Sequence, residues 1–209
     1  MHRFSTSIVY GSAALSWLFT ALVFGSALAR AEPAEYRIDP DHLSVGFLVD
    51  HIGYAATLGL FREAEGSFRF DEETGVVTDL RVVVDTSSVF TNHKKRDDHL
   101  RSADFLNSRE FPQMVFSADE ARPAGERRYQ VQGQLELLGK TRPLTLEATW
   151  NKSAEYPFGG GVFGGNPYVT GVSARGSFKR SDYGMNYAVD NGWVGDEVRL
   201  IIEFEAVRQ

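Results

Sequence analysis

The sequence predicts an all-β domain of eight antiparallel strands with one short helical excursion. Three observations predict it. Beyond about residue 40, most of the chain alternates apolar and polar residues, the period of a half-buried strand. Neighbouring runs are joined mostly by short turns, whereas parallel crossovers need a dozen or more residues each. One stretch, TNHKKRDDHLRSADFL from Thr91 to Leu106, loses the alternation altogether.

The first strand is LSVGFLVDH, Leu43 to His51, with Val45, Phe47 and Val49 on one face. A long second strand runs from Leu58 to Phe70, and Glu72 to Gly75 make a turn. VVTDLRVVVD places Leu80, Val82 and Val84 opposite Asp79, Arg81 and Asp85, and its β-branched content favours strand over helix. In the non-alternating stretch, Asn92 is positioned to cap a helix. Lys94 and Asp98, and Asp97 and Arg101, are spaced as ion pairs, with Leu100 and Phe105 as apolar contacts.

Strand character returns at QMVFSADE after Pro112. Arg127 to Leu138 carries Tyr129, Val131, Leu135 and Leu137 on one parity, with Gly133 between them. Gly139 and Lys140 form a tight turn into Arg142–Trp150, where Leu144, Leu146, Ala148 and Trp150 share a face. Tyr168 to Phe178 and Glu197 to Val207 complete the eight.

The amino end is not part of this pattern. Arg3, an apolar run from about Ile8 to Leu28 and the small-residue sites Ala27-Leu28-Ala29 and Ala29-Arg30-Ala31 have the layout of a secretory signal peptide. The competing reading is a retained membrane anchor, since the run approaches spanning length. Residues 1–31 are therefore expected to be a cleaved leader, lost after residue 29 or 31, and 32–209 the folded domain. Export to the periplasm follows. The mature chain would keep 20 Lys and Arg against 28 Asp and Glu, a net charge of −8. That balance excludes a nucleic-acid partner, which needs clustered positive charge. With no cysteine, the exported domain rests on packing alone.

Catalytic patterns are absent. His42, His51, His93 and His99 lack the close spacing of a zinc site, and no serine sits in a G-x-S-x-G elbow. Neither a metal nor a cofactor is expected, and the protein is expected not to be an enzyme. Eight strands can stack as a sandwich or close into a barrel, and at that number a barrel can hold a small ligand. Phe47, Val49, Phe68, Val82, Val84, Val131, Leu135, Leu146, Ile202 and Phe204 are the inward set in either case. In a hollow barrel they would bind an acyl or prenyl chain, each buried methylene contributing about 0.8 kcal/mol. In a sandwich they would be solid core. Arg142, Lys179 and Arg180 read first as ordinary surface charge, with a headgroup partner as the alternative.

Several segments, taken in order, resemble the YceI-like family. They are YRIDPDHLSVGFLVDHIG, GLFREAEGSFRFDEETG, DTSSVFTNHKKRDDHLRSADFLNSREFPQMVFSA, GQLELLGKTRPLTLEA and FKRSDYGMN with VGDEVRLIIEFEA. The one departure is at His42-Leu43-Ser44, where the family has His followed directly by Ser. The resemblance implies an extended eight-stranded antiparallel lipocalin-like barrel with one helix, periplasmic, binding a long isoprenoid lipid or quinone in its lumen. It implies a structural role for KRSDYGM: Gly184 and Asp182 set a turn, while Tyr183, Met185 and Tyr187 cover one end of the core. The non-lipid alternative is a solid-core module acting through its Gly-rich aromatic rim, Phe158, Phe163 and Tyr168, on an envelope membrane protein. The oligomeric state is left open.

Overall fold

A computed structural model describes residues 1–2, 32–158 and 165–209. All but the first two residues of the expected leader, and Phe163 of the rim, lie outside the described residues. Ala31–Gln209 forms one compact unit.

The elements are β1 (Ala34–His51), β2 (Ala55–Phe61), β3 (Ala64–Asp71), β4 (Val76–Asp85), β5 (Val89–Phe90), α1 (Lys94–Leu100), β6 (Gln113–Ala121), β7 (Pro123–Gly125), β8 (Arg128–Leu137), β9 (Lys140–Glu155), β10 (Tyr168–Lys179) and β11 (Val194–Arg208). Eight of them close a circuit in the order β1-β3-β4-β6-β8-β9-β10-β11 and back to β1, and every pairing is antiparallel. Each strand of the circuit thus has a partner on both sides, although β1 meets β3 over only four pairs and β6 meets β8 over only three. Among the described residues, the expected all-β antiparallel barrel of eight strands with one α-helix between the third and fourth is the observed fold.

Three local departures have physical causes. The first strand begins nine residues before the expected start at Leu43, because an irregularity between Ile38 and Leu43 interrupts the period without ending the ladder to β11. The expected second strand is two. It breaks at Arg62 and Glu63, so that β2 pairs with the end of β1 and β3 with its beginning. In β4, Asp79 adopts φ 55°, and the register slips there, which brings Val77 to the same side as Leu80.

The helix is shorter than the stretch that lost alternation, and its cap is His93, not Asn92. The His93 Nδ1 accepts the amide of Arg96 at 3.3 Å. Lys94 pairs with Asp98 at 2.6 Å as its spacing predicts. Asp97 does not pair with Arg101. It is buried and accepts from the amide and hydroxyl of Thr91, while Arg101 bonds Asp98 at 2.8 Å.

Candidate functional site

The inward faces of the barrel do not fill it. They enclose a cavity of about 490 Å³ that runs from Ile38, Phe68 and Phe204 at one end to His51, Tyr187 and Trp193 at the other. Its walls are Val, Leu, Ile, Phe and Met side chains over almost their whole extent. All ten residues of the inward set line it: Phe47, Val49, Phe68, Val82, Val84, Val131, Leu135, Leu146, Ile202 and Phe204. Four of these, Val49, Val82, Ile202 and Phe204, are only half-buried although they point inward. Side chains at the centre of a solid core would have no such exposed surface. The core of this protein is therefore hollow.

The base is sealed by aromatic packing. The Tyr36 ring stacks on Phe68 at 5.4 Å, Phe68 meets Phe204 edge-on at 6.1 Å, and Phe70 meets Trp150 edge-on at 5.0 Å. Glu72 ties the two phenols at this end, accepting from Tyr36 at 2.6 Å and from Tyr168 at 3.0 Å. Burial, then the Glu72 hydrogen bond, pushes the Tyr36 phenol well above its usual range. Tyr168 thus belongs to the base and not to an exposed rim. Phe158 is exposed and rests edge-on against Tyr156 at 6.1 Å.

The other end is built from α1, the residues after it and the segment 184–193. His99, Phe105 and Tyr187 form a triangle of rings, with His99 4.9 Å from each of the others and nearly perpendicular to both, Phe105 and Tyr187 5.2 Å apart, and the His99 Nε2 2.9 Å from Asp104. Arg180 organises this end from within. Its side chain is 1% exposed. The guanidinium donates to four carbonyls: Gly195 at 2.7 Å, Met185 at 2.8 Å, Val194 at 2.8 Å and Tyr187 at 2.9 Å. Burial lowers its pKa from the ordinary value, but a guanidinium stays protonated in proteins.

Arg180 is thus the strut of the mouth rather than an exposed charge. Arg142 and Lys179 are exposed, and Arg142 bonds only the carbonyl of Thr141 at 3.0 Å. In the KRSDYGM turn, Gly184 takes φ 87° as expected, but Asp182 does not fix the geometry. Asp196 does, accepting from the Ser181 amide and hydroxyl, each at 2.9 Å. Tyr183 covers the core, yet its hydroxyl is buried without a hydrogen-bond partner.

The four histidines beyond the expected leader are dispersed. His42 bonds Asp39 at 2.8 Å on the outer surface, His93 caps α1, and His51 and His99 line the mouth. Among the described residues, no three His, Asp or Glu side chains are gathered to hold a metal ion.

A closed antiparallel barrel with a hollow apolar lumen, sealed at one end and open at the other, is the architecture of a binder of water-insoluble molecules. Residues 36–206 match the model of the YceI-like domain, and the chain belongs to that family. It is 39% identical to Protein YceI of Salmonella agona over 199 residues, covering 93% of this chain and 97% of that one. It is 40% identical over 193 residues to a UPF0312 protein of Yersinia enterocolitica, covering 91% and 92%. Among solved structures it is similar in fold to BcnA of Burkholderia cenocepacia, with TM-score 0.70 and 20% identity, covering 80% of this chain and 98% of that one. A polyisoprenoid binding domain from Saccharophagus degradans superposes with TM-score 0.62 at 11% identity, covering 85% and 99%.

Proposed function

We propose that the protein holds a single long isoprenoid lipid, a quinone or a polyprenyl lipid, in its lumen and stores or carries it through the periplasm, without catalysis. The observation that carries this reading is the cavity of about 490 Å³, lined almost wholly by apolar side chains and sealed at one end. That volume lies within the usual range of ligand sites, roughly 300–1,000 Å³. The binding residues are the ten inward side chains named above. The similarity in fold to a polyisoprenoid binding domain supports the choice of ligand class. The leader-like residues 1–31 support export, with the domain 32–209 as the mature protein.

Chain length is the sensitive variable. Each methylene removed from water contributes about 0.8 kcal/mol, against a smaller ordering term. Titration of lipid-free protein with a prenyl series should show affinity rising with prenyl number and levelling once the lumen is full. Affinity independent of chain length, or no binding across the series, would refute the proposal.

A further inference from the structure

We infer that the open end of the barrel docks on the surface of a lipid bilayer, inserting Ile52, Tyr54 and Trp193 among the headgroups; the inference rests on the proposed lipid cargo. Eight large hydrophobic side chains are exposed among the described residues, and six of them belong to the β1–β2 hairpin or to the segment 184–193. Tyr54 is 89% exposed, Trp193 59% and Ile52 48%. The two segments are tied at their tips, where the Ile52 amide donates to the Trp193 carbonyl at 3.0 Å. These apolar groups therefore form one patch, and Ile52 and Trp193 also line the entrance to the lumen.

The hairpin turn carries a second sign. Its four residues, His51 to Tyr54, are closed by the Tyr54 amide donating to the His51 carbonyl at 3.1 Å. Ile52 and Gly53 both have positive φ, 53° and 71°. Such turns favour Asn or Asp at the first of these positions, and a β-branched residue there is a strained choice. The strain is borne by a half-exposed isoleucine at the tip, where its side chain can reach outward. Strained backbone of this kind concentrates at functional positions.

The occupant follows from chemistry. A lipid cargo enters or leaves through this end, and its source and destination are bilayers. Tyr and Trp are the residues enriched at the membrane–water interface. A mature surface of net charge −8 disfavours an attachment carried by anionic headgroups, so the apolar patch has to supply the binding.

The test is flotation of protein purified from its own cells with vesicles of phosphatidylcholine and phosphatidylethanolamine, at low and high salt. Bound lipid is extracted and quantified from the same preparations. Wild-type protein should float at both salt concentrations, and headgroup-brominated lipid should quench an emission that disappears in Trp193→Phe. Tyr54→Ser should weaken flotation about tenfold, equivalent to ~1.4 kcal/mol, with bound lipid unchanged. Ile52→Asn should raise the melting temperature, because Asn suits the turn, while weakening flotation. A purely structural Ile52 would not separate those two readouts. Protein that carries lipid but does not float, or variants that float like wild type, would overturn the docking face alone. Protein that floats but carries no lipid would overturn the cargo and keep the face. Flotation lost at high salt would replace apolar insertion with an electrostatic contact.

Discussion

The ring of Phe47 lies on the bare backbone of Gly59, its register partner across β1 and β2. A Cβ at position 59 would stand 2.1 Å from the Phe47 Cζ. The absence of a side chain on one strand is thus what lets an aromatic ring on the next lie flat along the lumen wall. Gly59→Ala should force the ring off its position and destabilise the protein by about 1–3 kcal/mol. Urea unfolding of the variant, compared with wild type, checks this.

Arg180 should be indispensable to the mouth. Arg180→Met would leave four carbonyls without their donor and should cost about 3 kcal/mol or more. Arg180→Lys should recover little of this, because an ammonium cannot reproduce the planar fork. Hydrogen exchange should localise the loss to 184–195 before global unfolding.

Tyr183 should respond in the opposite direction. Its hydroxyl is buried without a partner, so Tyr183→Phe should leave stability unchanged or raise it by about 1 kcal/mol. Burial, with a smaller contribution from Asp182, pushes the phenol from its ordinary value of 10.0 up to about 12. The folded state therefore keeps this proton to higher pH than the unfolded state does. The associated stability is complete below pH 10 and is lost as pH rises through 12. Melting temperatures across that window should fall less steeply in Tyr183→Phe than in wild type.

A hollow core predicts an unusual tolerance to added volume. Ala174 is buried and faces the lumen. In a filled interior Ala174→Phe would cost roughly 1–3 kcal/mol. Here the ring should enter the lumen, leave lipid-free protein at least as stable as wild type, and lower the amount of bound lipid. Thermal melts of lipid-free protein, paired with lipid extraction, separate the two effects.

Much of the fold was legible in the sequence because a barrel wall repeats one signal. The alternation of Val131, Leu135 and Leu137 with polar neighbours sets the inward side without knowledge of the partner strands. What was illegible lay where the period fails. Tyr36 and Ile38, which seal the base, alternate with Glu35, Arg37 and Asp39 as a strand does, but Pro40 and the irregularity at 38–43 cut this short run off from the strand read from Leu43. The break at Arg62 and Glu63 carries no proline or glycine. It arises because β1 exchanges one neighbour for another along its length, a tertiary fact. Arg180 read as a surface cation because its four partners are main-chain carbonyls, which no side-chain pattern announces. Hollowness itself is invisible to periodicity, since the same alternation builds a filled sandwich.

Occupation of the lumen by an isoprenoid chain in the cell is tested most directly by native mass spectrometry of protein purified from its own cells, followed by organic extraction and identification of the released molecule. The expected result is one bound lipid per chain, released by organic solvent and identified as a quinone or polyprenyl lipid. Folded protein that carries no lipid when isolated gently, and takes up neither series when offered it, would contradict a lipid-filled lumen.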